Sequence, residues 1–136
     1  MSTAQPQYLF VYGTLMVPEV LHAVLGRVPA RLEATLEGYR RHALEGECYP
    51  AITKDPNARV HGQLLGGLSH EESATLDAYE GDAYTRTTVE LAVNGQRLTA
   101  DCYVWRDPAL PRLSDDDWNL ETFISTDLVR FLRALT

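Results

Sequence analysis

The sequence predicts an α+β fold in which a few strands curl toward a small barrel flanked by short helices. Three observations carry that expectation. An apolar, β-rich run, Tyr8-Leu9-Phe10-Val11-Tyr12, halts at Gly13. Two alternating segments, Tyr84 to Val93 and Gln96 to Trp105, flank Asn94-Gly95, the strongest short-range signal for a β-hairpin. Helical signals stand apart from these strands, at a Ser69-x-x-Glu72 capping box and along the tail after Trp118.

Taken in order, Tyr8 to Leu15 reads as a buried strand entering a Tyr12-Gly13-Thr14 turn. Backbone N–H groups are left free at such a turn and can hold a carboxylate or an oxyanion. Glycine there lets the backbone approach a ligand with no Cβ in the way. Pro18 to Gly26 reads as a short helix, with proline in its first turn and glycine as its stop. Ala30 to Arg41 alternates loosely, with Leu32, Ala34, Leu36 and Gly38 on one side, and reads as a strand. Glu45 to Asn57 is rich in Gly, Pro and polar residues and reads as loop, broken by a short extended piece at Tyr49-Pro50-Ala51-Ile52. Arg59 to Leu68 is a further strand whose glycines mark a bulge or a close approach.

The capping box starts a helix near His70 that carries Leu76 and Tyr79 inward and ends at Gly81. In the hairpin, a two-residue turn pairs Val93 with Gln96 and so sets the whole register. One face then carries Val89, Leu91, Val93, Leu98, Ala100, Cys102 and Val104, a core surface. The other pairs Tyr84 with Trp105, Arg86 with Tyr103, Thr88 with Asp101 and Glu90 with Thr99. This semi-polar aromatic wall suits the mouth of a small barrel. Beyond Trp118, residues Leu120, Phe123, Ile124, Leu128, Phe131, Leu132 and Leu135 fall at helical spacing behind Asp115-Asp116-Asp117, which suits a helix N-terminus. The helix, interrupted near Ser125-Thr126, is expected to seal the barrel.

Bulk properties narrow the function. At 136 residues and 45% hydrophobic content, residues 1–136 are expected to form one domain with one core. A net charge of −7 argues against nucleic acid or an anionic membrane as partner. The longest apolar stretch, Tyr8 to Val17, is far shorter than the roughly 20 residues a membrane span needs. No basic side chain precedes it, so a secretory n-region is missing and the cytoplasm is the expected compartment. Cys48 and Cys102 read as reduced thiols, the four histidines lack ligand spacing, and no nucleotide or hydrolase elbow motif occurs. The single lysine, Lys54, lies in a turn-like Lys-Asp-Pro context, which disfavours Schiff-base chemistry.

The candidate catalytic residue is Glu80, at the end of the predicted helix and just before the tyrosine-bearing strand. The helix macrodipole, Asp77 one turn back, Asp82 nearby and burial at the barrel mouth are all expected to raise its pKa toward working pH. Gly13, Thr14 and Leu15 offer main-chain N–H groups to a substrate. Tyr12 either positions that substrate or closes the core. Tyr84 and Tyr103 share one hairpin face, either converging near Glu80 or lining the rim. Arg86 on that face either fixes a carboxylate or, as the stronger expectation, stacks on Tyr103 within a surface ion pair.

Several blocks, in this order, resemble the γ-glutamylcyclotransferase family, including its AIG2-like and γ-glutamylamine branches. They are Phe10-Val11-Tyr12-Gly13-Thr14-Leu15, Tyr49-Pro50-Ala51, Val60-His61-Gly62-Gln63-Leu64, and Leu76-Asp77-Ala78-Tyr79-Glu80-Gly81 followed by Tyr84-Thr85-Arg86. The resemblance implies a small mixed β-barrel with flanking helices, a γ-glutamyl small molecule at its mouth, backbone contacts from the Tyr12-to-Leu15 loop, Tyr84 as a substrate contact, and Glu80 as acid/base. It implies no metal or organic cofactor. The direct connection Gly81-Asp82-Ala83 is similar to the AIG2-like and γ-glutamylamine branch, whose substrates make glutathione a less expected one. The implied reaction is cyclisation of a γ-glutamyl amine to 5-oxoproline with release of the amine, by a monomer or weak homodimer. The competing expectations are a noncatalytic small-molecule-binding domain of the same fold and a γ-glutamyl removal step on a biosynthetic intermediate.

Overall fold

The elements run β1 (Gln7–Val11), α1 (Pro18–Leu25), β2 (Ala30–Ala43), β3 (Pro50–Leu68), α2 (His70–Glu80), β4 (Tyr84–Val93) and β5 (Gln96–Trp105). A C-terminal helical stretch follows, built of α3 (Leu120–Thr122), a π turn (Phe123–Asp127) and α4 (Leu128–Ala134). This computed structural model describes residues 7–81, 83–106 and 113–135. The strands close on themselves in the order β1-β3-β2-β4-β5. β1 is antiparallel to β3 and parallel to β5, while the other neighbours are antiparallel, so the barrel is mixed as expected.

The apolar run at the start of the chain is explained by β1 having cover on both faces. Phe10 and Tyr12 point into the barrel against Ile52, Leu64 and Leu91, whereas Leu9 and Val11 face a second layer containing Val20, Leu21, Leu76 and Phe123. Gly62 permits this arrangement: a Cβ there would lie 2.3 Å from the Val11 carbonyl oxygen. It is the close approach expected among the β3 glycines.

The β4–β5 hairpin keeps the expected register, from Tyr84–Trp105 through Arg86–Tyr103 and Thr88–Asp101 to Val93–Gln96. Asn94 and Gly95 take φ of 51° and 78°, the pattern of a type I′ turn. One expectation fails near the turn. Leu98 is exposed, because β1 meets β5 only at Asp101 and Cys102 and leaves the earlier part of β5 uncovered. Leu32 of β2 is exposed at the same end of the barrel, since β2 meets β4 at Thr35–Ala92 and β4 stops at Val93.

The predicted loop after Glu45 is also corrected. β3 begins at Pro50 and pairs with β2 from Ala43–Pro50 to Tyr39–Lys54 before the register slips, resuming at Glu37–Arg59. The Asp-Pro-Asn chemistry acts only inside that slip, where the Asn57 N–H donates to Asp55 Oδ1 at 3.0 Å. A local turn signal thus becomes a bulge in a long strand, because the flanking pairs with β2 resume on both sides.

α2 has its capping box, with Ser69 Oγ accepting from the Glu72 N–H and Glu72 Oε1 accepting from the Ser69 N–H, both at 3.0 Å. The tail is interrupted where expected, but as a π turn, and Ile124 is turned outward while Phe123 is buried. Asp115 to Asp117 do not cap this stretch. Asn119 does so, accepting from the Thr122 N–H at 2.9 Å, and Asp117 instead pairs with Arg41 at 2.8 Å.

Among the described residues, no helix is long and apolar enough to cross a membrane. Cys48 and Cys102 are both free thiols.

Candidate active site

A cavity of about 290 Å³ opens at the end of the barrel where the chain passes from β1 toward α1. Its walls include Phe10 and Val11 of β1, the Tyr12-to-Leu15 loop, Tyr49 and Pro50 at the start of β3, Tyr79 and Glu80 at the end of α2, Ala83 and Tyr84 beside them, and Phe131 and Leu135 at the C-terminal end. Tyr103 of β5 completes it. Glu80, Tyr12, Gly13, Thr14, Leu15, Tyr84 and Tyr103 all line this one cavity.

The loop is shaped by packing. Thr14–Met16 form a single 3₁₀ turn, closed by the Met16 N–H donating to the Gly13 carbonyl at 2.9 Å. The leading N–H groups of such a turn have no carbonyl within it to bond. Gly13 is required by its neighbour: a Cβ would sit 2.7 Å from Cδ and Cγ of the Pro50 ring. From behind, Arg41 Nη1 donates to the Tyr12 carbonyl at 3.0 Å while its guanidinium lies 5.7 Å from the Trp118 ring centroid. Nothing in the sequence alone marked Arg41 for this task, because its partners Tyr12, Asp117 and Trp118 are distant along the chain.

The tyrosines carry scaffolding bonds. Tyr12 Oη donates to the Tyr103 carbonyl at 2.6 Å, and Tyr84 Oη to the Pro50 carbonyl at 2.7 Å. Tyr103 Oη donates to Asp77 Oδ1 at 2.6 Å, away from Glu80. Their protons are therefore committed to the protein, and the Tyr103 hydroxyl also accepts from Arg86 Nη1 at 3.2 Å. Burial raises the pKa of all three phenols, so they stay neutral. Tyr79, which sequence reasoning placed inward without a role, shares a 2.8 Å hydrogen bond between its hydroxyl and that of Thr14. Tyr49 and Pro50 belong to a motif noted in the sequence, and only their position in the cavity wall reveals what they do.

Arg86 takes the structural alternative. It donates to Asp101 at 2.7 Å and Asp77 at 2.9 Å, and its guanidinium lies 5.7 Å from the Tyr103 ring centroid. Partial burial pushes the Asp77 carboxyl up, but the Tyr103 hydroxyl and Arg86 outweigh that and hold it below its ordinary value.

Glu80 is shifted in the opposite direction to Asp77. Its pKa is pushed from 4.5 up to about 8, and burial is the cause. Asp77, expected to contribute by repulsion, faces the other way and is neutralised by Arg86; Asp82 lies outside the described residues. A half-buried carboxyl poised near neutrality, beside a backbone turn with spare donors, can exchange a proton with a bound molecule.

The sequence and the fold are similar to those of known proteins. The model of the family described as "Gamma-glutamyl cyclotransferase, AIG2-like" matches residues 9–120. The chain belongs to that γ-glutamyl cyclotransferase, AIG2-like family. It is 33% identical over 139 aligned positions to AIG2-like protein B of Arabidopsis thaliana, covering 99% of this chain and 80% of that protein. A solution structure of an Arabidopsis thaliana protein superposes with a TM-score of 0.78 at 32% identity, covering 98% of this chain and 90% of that one. A structure titled "Gamma-glutamyl cyclotransferase" shares the fold, with a TM-score of 0.66 at 19% identity over 76% of this chain and 68% of that chain. The AIG2-like match runs from Leu9 within β1 through the end of β5 and takes in every nominated site residue.

Proposed function

We propose that this AIG2-like protein cyclises a γ-glutamyl amine to 5-oxoproline and releases the free amine. The observation that carries the reading is Glu80, a carboxyl held at a pKa of about 8 in the wall of the cavity that also contains the Gly13-to-Leu15 backbone.

The reaction supplies its own nucleophile, so the protein needs no reactive serine or cysteine. Ionised Glu80 takes a proton from the substrate's α-ammonium group, and the freed amine attacks the γ-carbonyl carbon. A C–N bond forms, closing a five-membered ring, and the carbonyl oxygen becomes an oxyanion. Backbone N–H groups of the Thr14 turn stabilise either that oxyanion or the α-carboxylate. As the tetrahedral centre collapses, the original amide C–N bond breaks, Glu80 returns its proton to the departing nitrogen, and the second proton of the ring nitrogen passes through the same carboxylate to the freed amine, leaving 5-oxoproline, an alkylammonium ion and ionised Glu80. The remaining contribution is orientation: the tyrosine rings and Leu15 hold a flexible chain in the bent form that ring closure requires.

The test is incubation with a panel of γ-glutamyl amines and γ-glutamyl dipeptides, with 5-oxoproline measured by mass spectrometry. Formation from at least one member supports the enzyme. A panel with bound ligands but no 5-oxoproline would favour a noncatalytic binding domain.

A further inference from the structure

We propose that the amine released from this site carries a small apolar group with no charge besides that of the amine nitrogen itself, an aromatic ring being the best fit; the inference rests on the cyclotransferase reading of the same cavity. Among the described residues, Glu80 is the one Asp, Glu, Lys or Arg side chain in the cavity wall. In the proposed reaction that carboxyl is engaged with the substrate's α-ammonium, and the turn's N–H groups with its carboxylate or oxyanion. The carboxyl and the turn are thereby used on the γ-glutamyl half. Among the wall residues given no part on that half are Phe131 and Leu135, with Tyr79 beside Phe131.

That remaining wall is built as an aromatic cluster. Phe131 meets Tyr79 edge-on, with centroids 6.4 Å apart at 80°, and meets Phe123 at 5.4 Å and 78°. Such an arrangement accepts another ring in the same edge or offset geometry. A leaving group bearing its own carboxylate would lose water against these rings with no cationic side chain among the described wall residues to replace it. The two guanidiniums tied to the site's scaffold are committed elsewhere, Arg86 to Asp77 and Asp101 and Arg41 to Asp117 and the Tyr12 carbonyl. At about 290 Å³, the cavity lies just below the roughly 300–1,000 Å³ typical of ligand pockets. It suits a γ-glutamyl group carrying one compact amine.

The experiment compares kcat/KM for 5-oxoproline formation from γ-glutamylphenethylamide, γ-glutamylbutylamide, ε-(γ-glutamyl)lysine and a γ-glutamyl dipeptide. We expect the phenethylamide to lead, the butylamide to follow, and the two charged leaving groups to lie at least about tenfold lower. Turnover of all four at equal rates, or a lead for the charged pair, overturns this inference and leaves the cyclotransferase reading standing. No product from any of them overturns both. In a second arm, Leu135→Arg, at the partly exposed end of the wall, is expected to improve the dipeptide relative to the phenethylamide by about fivefold or more. An unchanged ratio in a variant that folds normally shows that this wall does not choose the leaving group.

Discussion

The hydroxyls of Tyr79 and Thr14 lie 2.8 Å apart, joining the last turn of α2 to the turn that follows β1. Tyr79 immediately precedes Glu80, so this bond spans the two halves of the site: the proton-exchanging carboxyl and the backbone donors. Sixty-five positions separate the partners in sequence.

Breaking that link is expected to disturb activity more than stability. A neutral hydrogen bond of this type contributes about 1 kcal/mol net. Tyr79→Phe and Thr14→Val should each lower kcat by roughly tenfold with a small change in thermal unfolding, and the double variant should lose little more than either single one. Losses that multiply in full would show that the two hydroxyls act independently.

Glu80→Gln keeps the shape of the side chain and removes its exchangeable proton. Turnover is expected to fall about a hundredfold or more, with far-UV circular dichroism unchanged. Wild-type rates from this variant would take Glu80 out of the mechanism.

The raised pKa also predicts a pH profile. The base must be ionised to accept the ammonium proton, so kcat/KM should climb about tenfold per unit on the acid side and level off near pH 8. A flat profile between pH 6 and about 9 would mean that no group of this kind controls the step.

Stability should move in the opposite sense. Glu80 ionises near 4.5 when exposed and near 8 in the folded chain, so between those values the native state holds the extra proton. Its contribution is complete below about 4.5 and is lost as pH rises through about 8. Glu80→Gln, neutral throughout, should therefore gain in Tm relative to the parent as pH rises from 5 to about 8 in scanning calorimetry. A constant Tm difference would show that the carboxyl is already solvated.

Gly13→Ala places a methyl group 2.7 Å from the Pro50 ring. Overpacking at this contact should cost about 1–3 kcal/mol in denaturant unfolding and displace the turn that lines the cavity. Full stability with full activity would show that Pro50 can step aside without consequence.

What the sequence determined was local and periodic. The Asn94-Gly95 hairpin and its register, the Ser69–Glu72 box, the glycine stop of α1 and the position of Glu80 at the end of α2 all follow from neighbours a few residues apart. Such features are set by backbone sterics and short-range hydrogen bonds, which the chain carries wherever it folds. The tertiary structure decided everything that depends on who arrives from far away. It carried β3 through a stretch with turn chemistry because β2 supplied ladder partners on both sides. It drew Asp117 to Arg41 instead of leaving it to cap a helix, and turned the Tyr103 hydroxyl toward Asp77. It also left burial as the cause of the Glu80 shift, since a neighbour's charge raises a pKa only if that neighbour faces the group and is not already paired.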